Sequence, residues 1–123
     1  MKNRVTTEKN SSIEELIDAL LLLENKQEAE RFLKDLCTPQ EMETLAERWK
    51  VCKLLNREDL SYREIHEQTG ASLATITRVA RFLKTEPHQG YAAILEKMVL
   101  RYPSAQGPQD DQKRKKIKPS SQS

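Results

Sequence analysis

Apolar residues in this chain recur at intervals of three and four, the period of helices that bury one face. Ile13, Leu16, Ile17, Leu20 and Leu21 make the first such stripe, and Leu22 and Leu23 widen it past one side. Ser11 and Ser12 each have a Glu three places on, so either is placed to cap this helix. A helix apolar on more than one side needs cover on more than one side, and in so short a chain the expected cover is a second subunit.

Four further segments and a last helix follow the same logic. Asn25 is placed to cap a helix carrying Ala29, Phe32, Leu33 and Leu36. Thr38-Pro39-Gln40-Glu41 is a start signal, with Thr as N-cap, Pro at the first helical position and Glu at the third. Behind it run Met42, Leu45, Ala46, Trp49, Cys52 and Leu55, a spacing that reads Trp49 as core rather than as a ligand platform. Leu60–Ile65 opens a short helix with Ser61 and Glu64 three apart, and Thr69-Gly70 ends it. Ser72 caps the next, which carries Leu73, Ala74, Ile76, Val79, Ala80 and Leu83 up to the break at Glu86-Pro87. The last, roughly His88–Leu100, has Ala92, Leu95 and Val99 on one stripe, with Tyr91, Ile94 and Met98 beside it. The pattern predicts an all-α chain without strands or repeats. Its expected plan is a polar, disordered N-terminus over 1–10, a helical domain over 11–101 and a disordered basic tail over 102–123.

Composition sharpens this picture. At 123 residues, with 33% charged, 37% hydrophobic and 5% aromatic residues, the chain has material for one domain with a thin core. Three Gly and few aromatics argue against a β-sandwich or barrel. Cys37 and Cys52 are too few for a disulfide framework, no zinc spacing is present, and both read as inert thiols rather than redox sensors. No signal-peptide pattern follows Met1, and Ala19–Leu23 is too short to span a bilayer. A cytoplasmic protein with no membrane association, no metal and no cofactor is expected.

Charge is unevenly distributed. Glu8–Glu47 holds 4 basic and 11 acidic residues, Arg48–Lys84 holds 8 basic and 4 acidic, and the segment from Arg101 onward holds 6 basic and 2 acidic. A polyanion is the partner this favours for the middle and the tail. His66 and His88 have no acid and nucleophile at interpretable spacing, and Glu41, Glu43 and Glu47 read as a solvated face, so no enzymatic activity is expected.

The motif with functional content is Leu60–Leu83, LSYREIHEQTGASLATITRVARFL: two short helices joined by a tight turn at Gly70. Ile65 holds the first helix on the second, Gly70 lets the chain reverse, and Ile76 and Leu83 anchor the second helix from beneath. Leu73, Thr75, Thr77, Arg78, Arg81 and Lys84 stay available on other faces. That is helix-turn-helix organisation, with small and hydrogen-bonding groups near the start of the reading helix. Ala74 and Thr75 suit contact with a thymine methyl, and Thr77 and Arg78 suit phosphate or base edges.

Thr38–Pro87 as a whole resembles the tryptophan (Trp) repressor family, most of all its YerC/YecD-type branch. Thr38-Pro39, Ala74-Thr75-Ile76-Thr77-Arg78 and Leu83-Lys84 carry the resemblance. It implies an intertwined homodimer of about six helices per chain that binds operator DNA. It implies backbone and base-edge contacts from Tyr62, Arg63 and His66, and operator reading by Leu73, Ala74, Thr75, Thr77 and Arg78. Lys84 is expected to add a phosphate contact. By the same resemblance Arg48 and Arg78 match two arginines that sandwich a bound tryptophan. Three positions depart from that pattern. Val79 stands where tryptophan-binding members have Gly, Phe82 where they have Ser, and Asp35 where they have Leu. The expectation is that tryptophan is not a ligand, and that Val79 and Phe82 partly fill the cavity and prop the reading helix outward.

Together these observations predict a homodimeric, sequence-specific DNA-binding transcriptional regulator, and the resemblance implies that it is a repressor. The alternative is a helical protein-interaction module whose basic face meets an acidic protein partner.

Overall fold

The computed structural model describes the backbone from Lys2 to Arg101 and side chains from Ser11 to Arg101. The basic tail expected over 102–123 lies outside the described residues. The described chain is six helices: α1 Lys2–Leu21, α2 Lys26–Leu36, α3 Pro39–Arg57, α4 Tyr62–Thr69, α5 Leu73–Lys84 and α6 Gly90–Arg101. No strand occurs among the described residues. The chain divides into two compact units, one ending at Glu43 and the other beginning at Thr44.

In the first unit α1 begins at Lys2, within the segment expected to be disordered, so Ser11 and Ser12 lie inside the helix rather than at its cap. No Gly or Pro interrupts Lys2–Leu21, and a helix once nucleated has no reason to stop there. Asn25 caps α2 as predicted, its side chain accepting the Glu28 amide at 2.8 Å. Glu28 answers by accepting the Glu24 amide at 3.0 Å. Thr38 and Glu41 close a reciprocal pair at the start of α3, at 3.0 and 2.8 Å. None of the apolar side chains of α1 from Ser11 onward, nor any of α2, is buried. Ile13, Ile17 and Leu21 are 58%, 47% and 77% exposed.

The core lies in the second unit. Val51, Cys52 and Leu55 of α3, Ile65 of α4, Ala71 of the turn, and Ile76, Val79 and Ala80 of α5 are buried together. Trp49, Leu54, Leu60, Leu83, Tyr91 and Leu95 pack around them. On α3 this differs from the predicted stripe. Val51, beside the stripe, is fully buried whereas Leu45 is 48% exposed; Cys52, seven residues on and on nearly the same line as Leu45, is fully buried, so the core covers the later turns of α3 and leaves Leu45 open. Ala71 is also buried: the turn passes against the core, where only a small side chain fits.

Candidate nucleic-acid interface

The turn between α4 and α5 is held by hydrogen bonds that the local sequence supplies. Ser61 and Glu64 form a complete capping box at the start of α4, at 3.1 and 2.8 Å. Gly70 ends α4 at φ 78, in the left-handed region where a Cβ is strained, and its amide donates to the His66 carbonyl at 2.8 Å. Thr69 Oγ1 donates to the Ile65 carbonyl at 2.7 Å and accepts the Ala71 amide at 3.0 Å. His66 Nδ1 lies 2.7 Å from the Ala71 carbonyl oxygen. A carbonyl only accepts, so Nδ1 carries the proton.

Ser72 then caps α5. Its Oγ accepts the Thr75 amide at 3.1 Å and donates to Thr75 Oγ1 at 3.1 Å. The Thr75 hydroxyl, half-buried, retains its own proton for a partner. Around it the start of α5 is open: Leu73 is 62% exposed, and Ala74, Thr77 and Arg78 are exposed. Leu73 and Ala74 thus stand side by side in solvent at the start of a helix that Ile76 and Val79 anchor in the core. Tyr62 is 41% exposed at the start of α4. The Arg63 side chain is 87% exposed and pairs loosely with Glu67 at 3.5 Å. Lys84, at the end of α5, is exposed. Neither Arg78 nor Lys84 forms an ion pair among the described residues. All nine residues expected at a DNA surface thus sit on the α4–turn–α5 unit, and eight of them are exposed.

The pocket residues divide differently. An open pocket of about 430 Å³ is lined by Trp49 of α3, Arg78 and Phe82 of α5, and His88, Tyr91 and Ile94. Arg78 and Phe82 were expected there, but Arg48 and Val79 do not line it. Successive helical residues point about 100° apart, so the neighbour of a wall residue faces elsewhere. Trp49 takes the wall and Arg48 sits half-buried beside it; Arg78 takes the wall and Val79 turns fully into the core. Val79 therefore does not fill the pocket. Trp49 both packs on the core and forms the wall, 6.3 Å from the Tyr91 ring, a double role that helical spacing alone does not reveal. The Arg78 guanidinium rests 4.4 Å from the centroid of the Phe82 ring, and Phe82 stacks on His88 at 5.9 Å and 13°. Among the described residues no group of His, Cys, Asp and Glu is placed to hold a metal ion, and no helix is long and apolar enough to cross a membrane.

Known proteins are similar to this chain in sequence and in fold. Over 75 residues the chain is 41% identical to the uncharacterized protein YerC of Bacillus subtilis, covering 61% of this chain and 71% of YerC. It is 38% identical over 72 residues to a Trp operon repressor homolog of Aliivibrio salmonicida, covering 58% and 67% of the two chains. The crystal structure of a TrpR like protein from Eubacterium eligens superposes with a TM-score of 0.67 at 39% identity, over 72% of this chain and 89% of that one. Residues 11–99 match the family described as Trp repressor protein. With the six helices and the capped turn, this match shows that the chain belongs to the Trp repressor family.

Proposed function

We propose that the protein is a sequence-specific DNA-binding transcriptional regulator, a repressor acting in the cytoplasm as a homodimer through α4, the turn and α5. The observation that carries this reading is the start of α5. Its small, apolar and hydroxyl groups face solvent on a helix whose opposite side is locked into the core. Such a surface fits a major groove, with Leu73 and Ala74 against thymine methyls and Thr75, Thr77 and Arg78 on base edges or phosphates. Tyr62, Arg63, His66 and Lys84 flank it, where backbone contacts set the register. The exposed apolar residues of α1 support the homodimer, since a second copy offers the same surface in return.

Selection of bound sequences from random duplex DNA with the purified protein tests this. A palindrome with half-sites about one helical turn apart is expected. Arg63→Ala and Lys84→Ala are expected to weaken all duplexes alike and flatten the salt dependence, while Thr75 substitutions change which sequence is preferred. Recovery of no enriched sequence, with capture of an acidic protein that survives Thr75 and Arg78 substitutions, would establish the protein-interaction alternative instead.

A further inference from the structure

We propose that Phe82 is a positioning residue for DNA binding: its ring holds the Arg78 guanidinium in place on the reading helix. This rests on the DNA-binding role proposed above for α5. Arg78 and Phe82 are four residues apart, so they share one face of the helix. The guanidinium carbon lies 4.4 Å from the ring centroid, within the range of a cation–π contact. The ring is in turn fixed from outside its helix, by His88 stacked at 5.9 Å with an interplanar angle of 13°. Phe82 is half-buried whereas Arg78 is exposed, so the ring is the anchored partner and the cation the guided one.

The neighbouring arginine shows what this arrangement avoids. Arg81 also approaches the ring, at 5.1 Å, but its Nε lies 3.5 Å from the Glu86 carboxylate. A carboxylate holds a cation by offsetting its charge. An aromatic face holds it and leaves the charge intact for a phosphate or a guanine edge. Arg78 has no carboxylate partner among the described residues. An arginine ordered before binding gives up less side-chain freedom when it meets DNA.

Two measurements test the proposal. In the free protein, the NMR signal of the Arg78 Nε proton is expected upfield of an ordinary arginine, from the ring current, and is expected to return to the ordinary position in Phe82→Leu. On the duplex recovered by selection, Phe82→Leu is expected to lower affinity about three- to tenfold. Phe82→Tyr should keep wild-type affinity, and Phe82→Leu should cost nothing further in an Arg78→Ala background. An ordinary Arg78 signal in the wild type, or an equal Phe82→Leu loss with and without Arg78, would overturn the proposal. Failure of the wild type to bind any duplex, with the upfield signal intact, would overturn the DNA reading and leave the contact between Arg78 and Phe82 standing.

Discussion

Cys52 shows how far a single residue is governed by its surroundings. It is fully buried among Val51, Leu55, Ile65 and Ile76, where no water solvates a thiolate, and this burial pushes its pKa up to about 11 from 9.0. The thiolate is the reactive species, so alkylation by iodoacetamide at pH 7 is expected to leave Cys52 unmodified until the protein unfolds. Mass spectrometry of the native and urea-unfolded protein checks this. The same shift has a consequence for stability. Above pH 9.0 the unfolded chain releases a proton that the folded chain keeps up to about 11, so alkali favours unfolding across that window. The loss should approach about 2–3 kcal/mol, and a Cys52→Ala variant should lack that part of the decline. The reading of Cys52 as an inert thiol follows from its place in an apolar stripe. Its complete burial does not, since the same stripe places Leu45 at the surface.

At the level of elements, the turns were more legible than the helix faces. Thr38 with Glu41, Ser61 with Glu64, Asn25 and Ser72 all cap helices where their spacing predicts, because a cap is satisfied by residues two or three places away. Gly70 is equally local, and an added Cβ there meets no atom within 4 Å. Gly70→Ala should therefore destabilise through backbone strain alone, by about 1–2 kcal/mol. Urea unfolding is the measurement, and an unchanged midpoint would show that the turn does not need φ 78. Ser11 and Ser12 show the limit of the same signal: a capping pattern inside a longer helix-permitting run caps nothing. Glu58 at φ 66, which begins the connection before α4, and Gln89 at φ 58, which ends the one before α6, carry no comparable sequence signature.

For the whole molecule, the unmet apolar surface is the governing fact. Leu16, Ile17, Leu20 and Leu21 of α1 and Ile94, Val99 and Leu100 of α6 are all exposed in the single chain. Burial of such residues contributes roughly 25 cal/mol per Å² of apolar area, more than a thin core can readily forgo. Sedimentation at micromolar concentration is expected to give a dimer whose thermal midpoint rises with protein concentration. A folded monomer at that concentration would refute the homodimer. Tryptophan is expected not to bind. The Phe82 ring already occupies the guanidinium face of Arg78, and Arg48 does not join the pocket wall. Calorimetry with millimolar L-tryptophan should show no heat of specific binding, and a dissociation constant below about 100 µM, near 5.5 kcal/mol of binding, would contradict this.

The amino-acid sequence by itself determined the succession of helices, the caps of α2 to α5, the left-handed turn at Gly70 and the identity of the α4–α5 motif. Each depends on contacts within a few residues, where spacing and residue type are sufficient. The same locality made the exposed start of α5 legible, since Ser72, Ile76 and Val79 set its orientation within two turns. Only the tertiary structure decided that Val51 rather than Leu45 is buried, that Trp49 is both core and pocket wall, and that Phe82 meets both Arg78 and His88. These outcomes depend on which face of α3 receives α4 and α5, and on where the connection after Lys84 brings His88. A hydrophobic stripe states that a face is covered; the packing of helices distant in sequence decides which residues at its edges are covered, and by what.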